Sequence, residues 1–299
     1  VTKGGTVVWS WHLWFAPKDA LSTIAVTNYQ GKIYNFTKEN LGWKPKGTVS
    51  SYTTPRTVKV KVEQTIANGG VKQVTVINIT QNPGGKKEGT TTYYQFGRKD
   101  AFPGTDEALP QGSINANAGN NMSITNGIQN PENFYTWGNS WYSNPPAGYS
   151  YYNLWSADNT ATGYNDNAVV KTVYDPCPVG FKMPASNAFT GFTSNGQSQS
   201  VAANINANGT ADSWEKFSAA YGHNFYTNSS KNATIFFPAS GFRVNDNGLL
   251  FNVGTDGFYW SAVPISAGNG CILYFYRSYV SPQRNDYRSY GFAARPVSE

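Results

Sequence analysis

The 299-residue sequence has few of the side chains on which catalytic and metal sites usually depend. Its two histidines are His12 and His223, and its two cysteines are Cys177 and Cys271. His12 lies among tryptophans, which predicts a core imidazole, and His223 follows a predicted helix, whose C-terminus favours a cation. The cysteines are too far apart for a CxxC motif and too few for a disulfide framework. With no GxSxG, HExxH, P-loop or strand-linked GxGxxG motif, the sequence predicts a protein that is not an enzyme and uses no cofactor.

Charged residues and long apolar runs are also scarce. Charged residues make up 13% of the chain, and the formal net charge of +6 is scattered, so nucleic-acid binding is not expected. No apolar stretch approaches the ~20 residues that span a bilayer, so we expect no membrane insertion of this segment. Asp158, Asp166 and Asp246 lack EF-hand spacing, and we expect them to support turns rather than to form a metal site.

Aromatic and small polar residues are abundant instead. The 20 tyrosines and 9 tryptophans, with many Asn, Gly, Ser and Thr, are typical of extracellular β-rich proteins. The run Thr6–Phe15 (TVVWSWHLWF) predicts a buried strand. Val58, Val60 and Val62 alternate with charged residues and, with the apolar run after an Asn-Gly-Gly turn, predict a β-hairpin at about 56–82.

The middle and C-terminal parts of the chain predict an α+β architecture. Between residues 84 and 170 we expect packed loops held by aromatic residues, namely Trp137, Trp141, Tyr151 and Trp155. Trp214, Phe217 and Tyr221 share one face of a short predicted helix. Strand-like runs then alternate with turns at 234–244, 249–253, 257–263, 271–276 and 292–297. The predicted fold is mainly antiparallel sheet with one or two short helices and long packed loops.

Five motifs occur in order along the chain: Trp9–Phe15 (WSWHLWF), Tyr93–Pro103 (YYQFGRKDAFP), Tyr174–Pro184 (YDPCPVGFKMP), Gly257–Ala262 (GFYWSA) and Tyr290–Glu299 (YGFAARPVSE). Their order and wording resemble Bacteroidetes surface proteins that carry the Fibrobacter-type major paralogous domain. That family is C-type-lectin-like and related to the formylglycine-generating-enzyme fold. The resemblance implies a single C-type-lectin-like domain over residues 1–299, with the hairpin as an insertion.

Some members of that family are pilus-tip proteins, and some are diversified by retroelements that mutate adenines. The stretch Asn269 to Tyr290 (NGCILYFYRSYVSPQRNDYRSY) resembles such a variable region, because it lacks Lys, Glu, Met and Trp, which an Asn codon cannot become by this route. The resemblance implies that the varied, ligand-binding positions are Gly270, Cys271, Ile272, Tyr274, Tyr276, Arg277, Tyr279, Ser281, Arg284, Asn285, Asp286, Tyr287 and Tyr290. The framework positions are then Leu273, Phe275, Val280, Pro282, Gln283 and Arg288.

The strand period supports a division of this stretch into two faces. Leu273 and Phe275 alternate with Ile272, Tyr274 and Tyr276, so one face can join the core while the other displays its side chains. Tyr and Arg are the side chains that interfaces favour. The alternative is that these tyrosines are ordinary strand and loop aromatics.

The resemblance implies an extracellular adhesin, displayed at the cell surface or a pilus tip. Its expected partners are a protein or glycan ligand on a host or neighbouring cell, and pilus stalk subunits. The alternatives are a phage tail receptor-binding protein and a formylglycine-generating-type oxidase. We expect no Cys177–Cys271 disulfide, because nothing in the sequence shows that the two cysteines can reach bonding distance. We also expect no calcium dependence, since the Glu-Pro-Asn and Gln-Pro-Asp signatures of calcium-dependent sugar sites are absent.

Overall fold

Strands dominate the computed structural model, which describes residues 2–44, 53–64, 72–82, 91–104, 109, 112–115, 122–136, 147–150, 153–158, 163–208, 221–266 and 268–299. The chain divides into two compact units, one formed by residues 1–45 with 89–299 and the other by residues 46–88. In the described part, no helix is long and apolar enough to cross a membrane.

The first ten strands are β1 (Thr2–Lys3), β2 (Thr6–Val7), β3 (Thr23–Thr27), β4 (Ile33–Thr37), β5 (Arg56–Gln64), β6 (Gln73–Gln81), β7 (Thr92–Tyr94), β8 (Phe102–Pro103), β9 (Ile114–Asn115) and β10 (Phe134–Tyr135). The remaining strands are β11 (Phe181–Lys182), β12 (Ala207–Asn208), β13 (Gly222–Tyr226), β14 (Thr234–Pro238), β15 (Phe242–Arg243), β16 (Leu250–Phe251), β17 (Asp256–Pro264), β18 (Asn269–Tyr276), β19 (Tyr279–Tyr287), β20 (Phe292–Ala293) and β21 (Val297–Ser298). Helical segments in the described residues are α1 (Ile124–Gln129) and two 3₁₀ helices, Ser186–Phe192 and Ala202–Asn204.

A six-stranded sheet in the order β19-β18-β17-β20-β7-β8 forms the centre of the larger unit. All its strand pairs are antiparallel except β17 with β20. Smaller sheets in the same unit are β11-β21-β4-β3 and β12-β13-β14. The β-rich α+β fold class predicted from the sequence is therefore correct, and the runs at 257–263 and 271–276 lie within β17 and β18.

Aromatic rings fill the core between these sheets. The ring of Phe36 in β4 lies 5.6 Å from that of Phe189 in a 3₁₀ helix and 5.7 Å from that of Phe237 in β14. Phe237 in turn packs edge-to-face on Tyr259 of β17 at 5.0 Å. Because such pairs add ~0.5–1.5 kcal/mol each beyond burial of their area, this chain of contacts fixes the sheets against one another.

The predicted buried strand at Thr6–Phe15 is wrong. Only its first two residues form a strand, and the side chains of Trp11 and Phe15 are 59% and 66% exposed. The segment is attached by side chains instead: Trp14 Nε1 donates to the Trp43 carbonyl oxygen at 3.1 Å. His12 is also exposed as a residue, with its Nδ1 3.1 Å from the hydroxyl of Tyr94, so it is not the core imidazole expected.

The strands of the predicted hairpin and one of the predicted aromatic anchors lie within the described residues. The smaller unit contains β5 and β6, which pair antiparallel from Arg56 opposite Gln81 to Gln64 opposite Gln73. The predicted helix with Trp214 and Phe217 lies outside the described residues, as do Trp137, Trp141 and Tyr151. Trp155 is buried and donates to the Tyr174 carbonyl oxygen at 3.0 Å.

Two fully buried arginines hold loops around the central sheet by donating to backbone carbonyl oxygens. Arg243 donates to the carbonyl oxygens of Pro103 and Gly248 at 2.6–2.9 Å. Arg288 donates to the carbonyl oxygen of Ser266 at 2.6 Å. A guanidinium offers five donors in a rigid fork, so one side chain can satisfy several carbonyl groups that the sheet ladders leave unpaired.

Arg295 is the third such residue and joins separate parts of the larger unit. Its guanidinium donates to Thr37 O at 2.6 Å, to Asn40 Oδ1 at 2.8 Å, to Phe236 O at 3.2 Å and to Lys38 O. Burial lowers the pKa of Arg295 to about 10, which still leaves it charged at neutral pH. The cation is therefore stabilised inside the protein by oriented carbonyl dipoles.

We expect Arg295→Met to reduce the free energy of unfolding by about 3 kcal/mol or more, because it leaves several buried carbonyl oxygens without donors. Urea unfolding monitored by tryptophan fluorescence measures the change. Lys18→Met, at an exposed position, is the control and should remain within about 0.5 kcal/mol of the wild type. Equal stability of the two variants would contradict the role assigned to Arg295.

Candidate ligand-binding surface

Strands β18 and β19 form an antiparallel hairpin at one edge of the six-stranded sheet. Tyr276 pairs with Tyr279 beside the two-residue turn, and Asn269 pairs with Tyr287 at the other end. The register shifts between Ile272 and Tyr274, where a β-bulge interrupts the ladder. The stretch predicted to bind ligand is therefore this hairpin and the short turn that follows it.

Three tyrosines near the hairpin turn form one aromatic cluster. The ring centres of Tyr276 and Tyr279 are 5.3 Å apart and nearly parallel, and each lies 5.9 Å from the ring of Tyr274. The side chain of Tyr276 is 37% exposed, and the other two are half-buried. Adjacent strands place these rings side by side, so they form a partly exposed platform.

A second aromatic group continues this platform towards the end of the hairpin. Tyr287, which is 47% exposed, stacks on Tyr290 at 6.3 Å, and Tyr290 contacts Phe242 at 5.5 Å. Phe258 connects the two groups, since its ring lies 4.7 Å from both Phe242 and Tyr274. We name the set the tyrosine surface; it consists of Tyr274, Tyr276, Tyr279, Arg284, Asp286, Tyr287, Tyr290, Phe242 and Phe251.

Charged groups lie among these rings. The guanidinium of Arg284 lies 4.4 Å from the centre of the Tyr274 ring and 3.7 Å from the carboxylate of Asp286. Burial raises the pKa of Asp286, an effect that the Tyr287 N–H and Arg284 partly offset. The Tyr274 hydroxyl donates to Asp256 Oδ1 at 3.0 Å, and burial, together with that carboxylate, raises its pKa. The surface therefore offers ring faces, guanidinium donors and a carboxylate acceptor, which are the groups that binding interfaces use.

Four of the residues predicted to contact ligand are buried: Gly270, Cys271, Ile272 and Ser281. The expectation that one whole face of β18 is displayed is therefore wrong at Ile272, which is 1% exposed and belongs to the core cluster. A Cβ atom on Gly270 would lie 2.5 Å from Phe96 Cδ2 and 3.0 Å from Trp260 Cζ3.

The outer edge of the hairpin explains the burial of Ser281. The backbone of Gln199 forms two hydrogen bonds with that of Val280, at 2.8 and 2.9 Å, and thereby covers this part of β19. The hydroxyl groups of Ser198 and Ser281 lie 2.8 Å apart. A pairing segment therefore protects the edge here, and the remaining predicted positions are exposed or half-buried: Tyr274, Tyr276, Arg277, Tyr279, Arg284, Asn285, Asp286, Tyr287 and Tyr290.

The residues predicted to be framework face the interior of the larger unit. Fully or nearly fully buried are Leu273, Phe275, Val280, Pro282 and Arg288. Gln283 is half-buried, and its Nε2 donates to Asn187 Oδ1 at 2.6 Å. This bond attaches the bulged part of β19 to the 3₁₀ helix Ser186–Phe192.

His223 supports the hairpin from within the core. It lies in β13 and is not the cation at a helix end that the sequence predicted. Its Nε2 is 3.3 Å from the Tyr276 carbonyl oxygen, and its ring packs 5.4 Å from that of Phe275. Burial lowers the pKa of His223 to about 4, although the Tyr276 carbonyl partly opposes this. The imidazole is therefore neutral at pH 7.

Sequence reasoning missed the part of the surface that lies outside residues 269–290. Phe242 and Phe251 face each other across the β15–β16 pair, with ring centres 6.2 Å apart. The available signal was the Asn-Asp-Asn-Gly sequence at 245–248, between the predicted strands at 234–244 and 249–253, because such a turn indicates a hairpin with Phe242 and Phe251 in its arms. Which sheet this hairpin packs against depends on Arg243, whose role no local pattern reveals.

The environments of the two cysteines and of Asp166 are structural. Cys177 and Cys271 are both free and buried, although Cys271 was predicted to contact ligand. Asp166 accepts hydrogen bonds from Asn28 at 2.9 Å, Tyr34 at 2.5 Å and Asn187 at 3.1 Å. Within the described ranges, no group of three or more His, Cys, Asp or Glu side chains is placed to hold a metal ion.

Comparison with known proteins identifies one match. Residues 222–297 match a family described as a domain of unknown function (DUF8237). This match begins at β13 and reaches β21, so it includes every residue of the tyrosine surface. No curated protein and no solved structure matches the chain.

We expect Gly270→Ala to destabilise the protein by about 1–3 kcal/mol, because the added methyl group overpacks the rings of Phe96 and Trp260. Gly268→Ala is the matched control, since a Cβ atom there meets nothing within 4 Å. Chemical denaturation of the two variants and the wild type provides the comparison. If Gly270→Ala were as stable as Gly268→Ala, Gly270 would be free to vary and our assignment of it to the frame would be wrong.

Proposed function

We propose that this chain is a cell-surface adhesin that recognises a protein or glycan ligand through the tyrosine surface. The observation that carries the proposal is that one hairpin has both exposed aromatic side chains and buried framework side chains. Tyr276, Tyr279 and Tyr287 present their rings outward, whereas Leu273 and Phe275 of the same hairpin are buried. Exposed aromatic rings beside an arginine are typical of interface hot spots.

The rigid frame under these rings supports recognition without a large conformational change. Tyr rings add contact area at low cost in conformational entropy, and the stacking of Tyr276 on Tyr279 restricts them further. Gln283 and His223 hold the two strands of the hairpin from below. A preorganised surface of this kind loses less entropy when it binds a partner.

The proposal includes a C-type-lectin-like scaffold whose exposed hairpin residues are diversified by a retroelement. Its varied set is now restricted to nine exposed or half-buried positions: Tyr274, Tyr276, Arg277, Tyr279, Arg284, Asn285, Asp286, Tyr287 and Tyr290. Substitution at these positions alters side chains that are at least partly exposed, although Tyr274 and Tyr290 also pack against the edge of the core. The family resemblance also favours display outside the cell, at a pilus tip, with pilus stalk subunits as assembly partners.

The cysteine environment favours binding over the oxidase alternative. A catalytic cysteine reacts as its thiolate, which an electropositive and partly exposed setting stabilises. Burial instead raises the pKa of both thiols, and Cys271 is 1% exposed. We therefore propose recognition without chemistry.

Replacing Tyr276, Tyr279 and Tyr287 together by alanine should abolish binding to host cells or to arrayed glycans and proteins, because it removes the exposed rings and leaves the frame intact. The measurement is direct binding of the labelled protein, with thermal unfolding as the check on folding. A control with Phe15→Ala and Tyr29→Ala removes two exposed rings elsewhere in the chain. Unchanged binding of the triple variant to every ligand of the wild type would contradict the proposed site.

Deep sequencing of this locus across many isolates tests the diversification separately. Substitutions should concentrate at the nine positions of the varied set and should spare Gly270, Cys271, Ile272 and Ser281, because these are buried. Uniform variation along the chain, or frequent change at the four buried positions, would contradict the retroelement proposal.

A further inference from the structure

A cavity of about 250 Å³ opens beside the four-stranded sheet, away from the residues of the tyrosine surface. Strands β4, β11 and β21 and the loop at 167–169 form its walls. Its apolar lining includes the buried residues Val169, Met183 and Val297. The volume is below the roughly 300 Å³ at which drug-sized pockets begin, so the cavity suits a small molecule.

Two lysines line this cavity, and their ammonium groups differ in their hydrogen bonding. The Lys32 ammonium donates to the Asp166 carbonyl oxygen at 2.6 Å, which fixes it and leaves two of its three N–H donors for another partner. Lys182 is half-buried, and within the described residues its ammonium has no hydrogen-bond acceptor or carboxylate partner. A partly buried cation without an acceptor is a group that a ligand can satisfy.

The Asp166 network holds Lys32 in position. The Asp166 carboxylate accepts hydrogen bonds from Tyr34 and Asn28, so the backbone carbonyl that binds Lys32 belongs to a fixed residue. Tyr34 also lies in the cavity wall, and the Lys32 ammonium is 5.4 Å from the centre of its ring. One side of the cavity is thus already ordered before a ligand enters.

The charge of the lining selects the kind of anion. The ammonium groups of Lys32 and Lys182 line the cavity with the side-chain carboxylate of Glu299, and the carboxylate of Asp166 lies behind Tyr34, so the positive charge is largely balanced. That balance suits a monoanion better than a doubly charged phosphate. Asn35, Asn167 and Ser298 add neutral hydrogen-bonding groups to the lining, as a ligand with hydroxyl groups requires.

We propose that this cavity binds a hydroxylated monocarboxylate of monosaccharide size, namely a hexuronic acid. Its carboxylate lies between Lys182 and Lys32, and its hydroxyl groups meet the amide and hydroxyl side chains of the lining. The apolar face of the sugar ring packs on Val169 and Ile33. This site shares no residue with the tyrosine surface, so it stands or falls independently of the proposed adhesin function.

Binding of methyl β-glucuronide and methyl β-glucoside, measured by isothermal titration calorimetry and ligand-detected NMR, tests the proposal. The two sugars differ in the carboxylate, so the glucuronide should bind at least roughly tenfold more tightly. Lys182→Gln should weaken glucuronide binding by about tenfold or more, because it removes the charge. Lys182→Arg should retain most of the affinity, because it keeps the charge.

Two further variants separate occupancy of the cavity from general attraction of anions. Ala168→Phe places a ring at the cavity wall from an exposed position and should abolish binding without a change in charge. Lys18→Gln removes an exposed lysine outside the cavity and should leave the affinity unchanged. Thermal unfolding verifies that each variant is folded.

The proposal is overturned if neither sugar binds, if both bind equally, or if Ala168→Phe binds the glucuronide like the wild type. Equal losses in Lys182→Gln and Lys18→Gln would likewise reject it, since they would indicate non-specific attraction. None of these outcomes depends on the tyrosine surface, because Tyr276, Tyr279 and Tyr287 are intact in every variant.

Discussion

The pairing of buried guanidinium groups with backbone carbonyl oxygens is the interaction on which the larger unit depends. An irregular, loop-rich chain leaves many carbonyl groups outside its sheet ladders, and each must find a donor if it is buried. Arg243, Arg288 and Arg295 supply several donors apiece from the interior. Hydrophobic packing alone would bury these carbonyl groups without satisfying them, so the cations and the aromatic core are both necessary.

The tyrosine surface is an extension of that frame. Arg243 fixes the hairpin that contributes Phe242 and Phe251, and Arg288 anchors the chain directly after β19. The displayed rings therefore stand on strands whose ends are tied to the interior. Such an arrangement lets the exposed side chains differ in shape and charge while the backbone beneath them keeps one geometry.

The sequence predicted the elements whose pattern is local and missed those set by distant contacts. The strands around Tyr259 and Phe275 were predictable because β-branched and aromatic residues recur there at strand period. The same composition at Trp11 and Phe15 was misleading, since apolar character does not reveal whether a partner strand is present. The resemblance to a variable region assigned Gly270 to the surface, and no local pattern could correct this, because its obstruction by Phe96 comes from a residue far away in the chain.

The bulge in β19 has a consequence for how this surface can change. Tyr279 and Arg284 are an odd number of positions apart and would point to opposite sides of a regular strand, yet both lie against the ring of Tyr274. The extra residue that the bulge inserts between them places both side chains on the same side of the strand. The number of residues in this hairpin is therefore fixed, whereas the identity of its exposed side chains can change. Exchange of a single residue keeps the tyrosine surface facing outward. The gain or loss of one residue would turn the side chains on one side of the change inward.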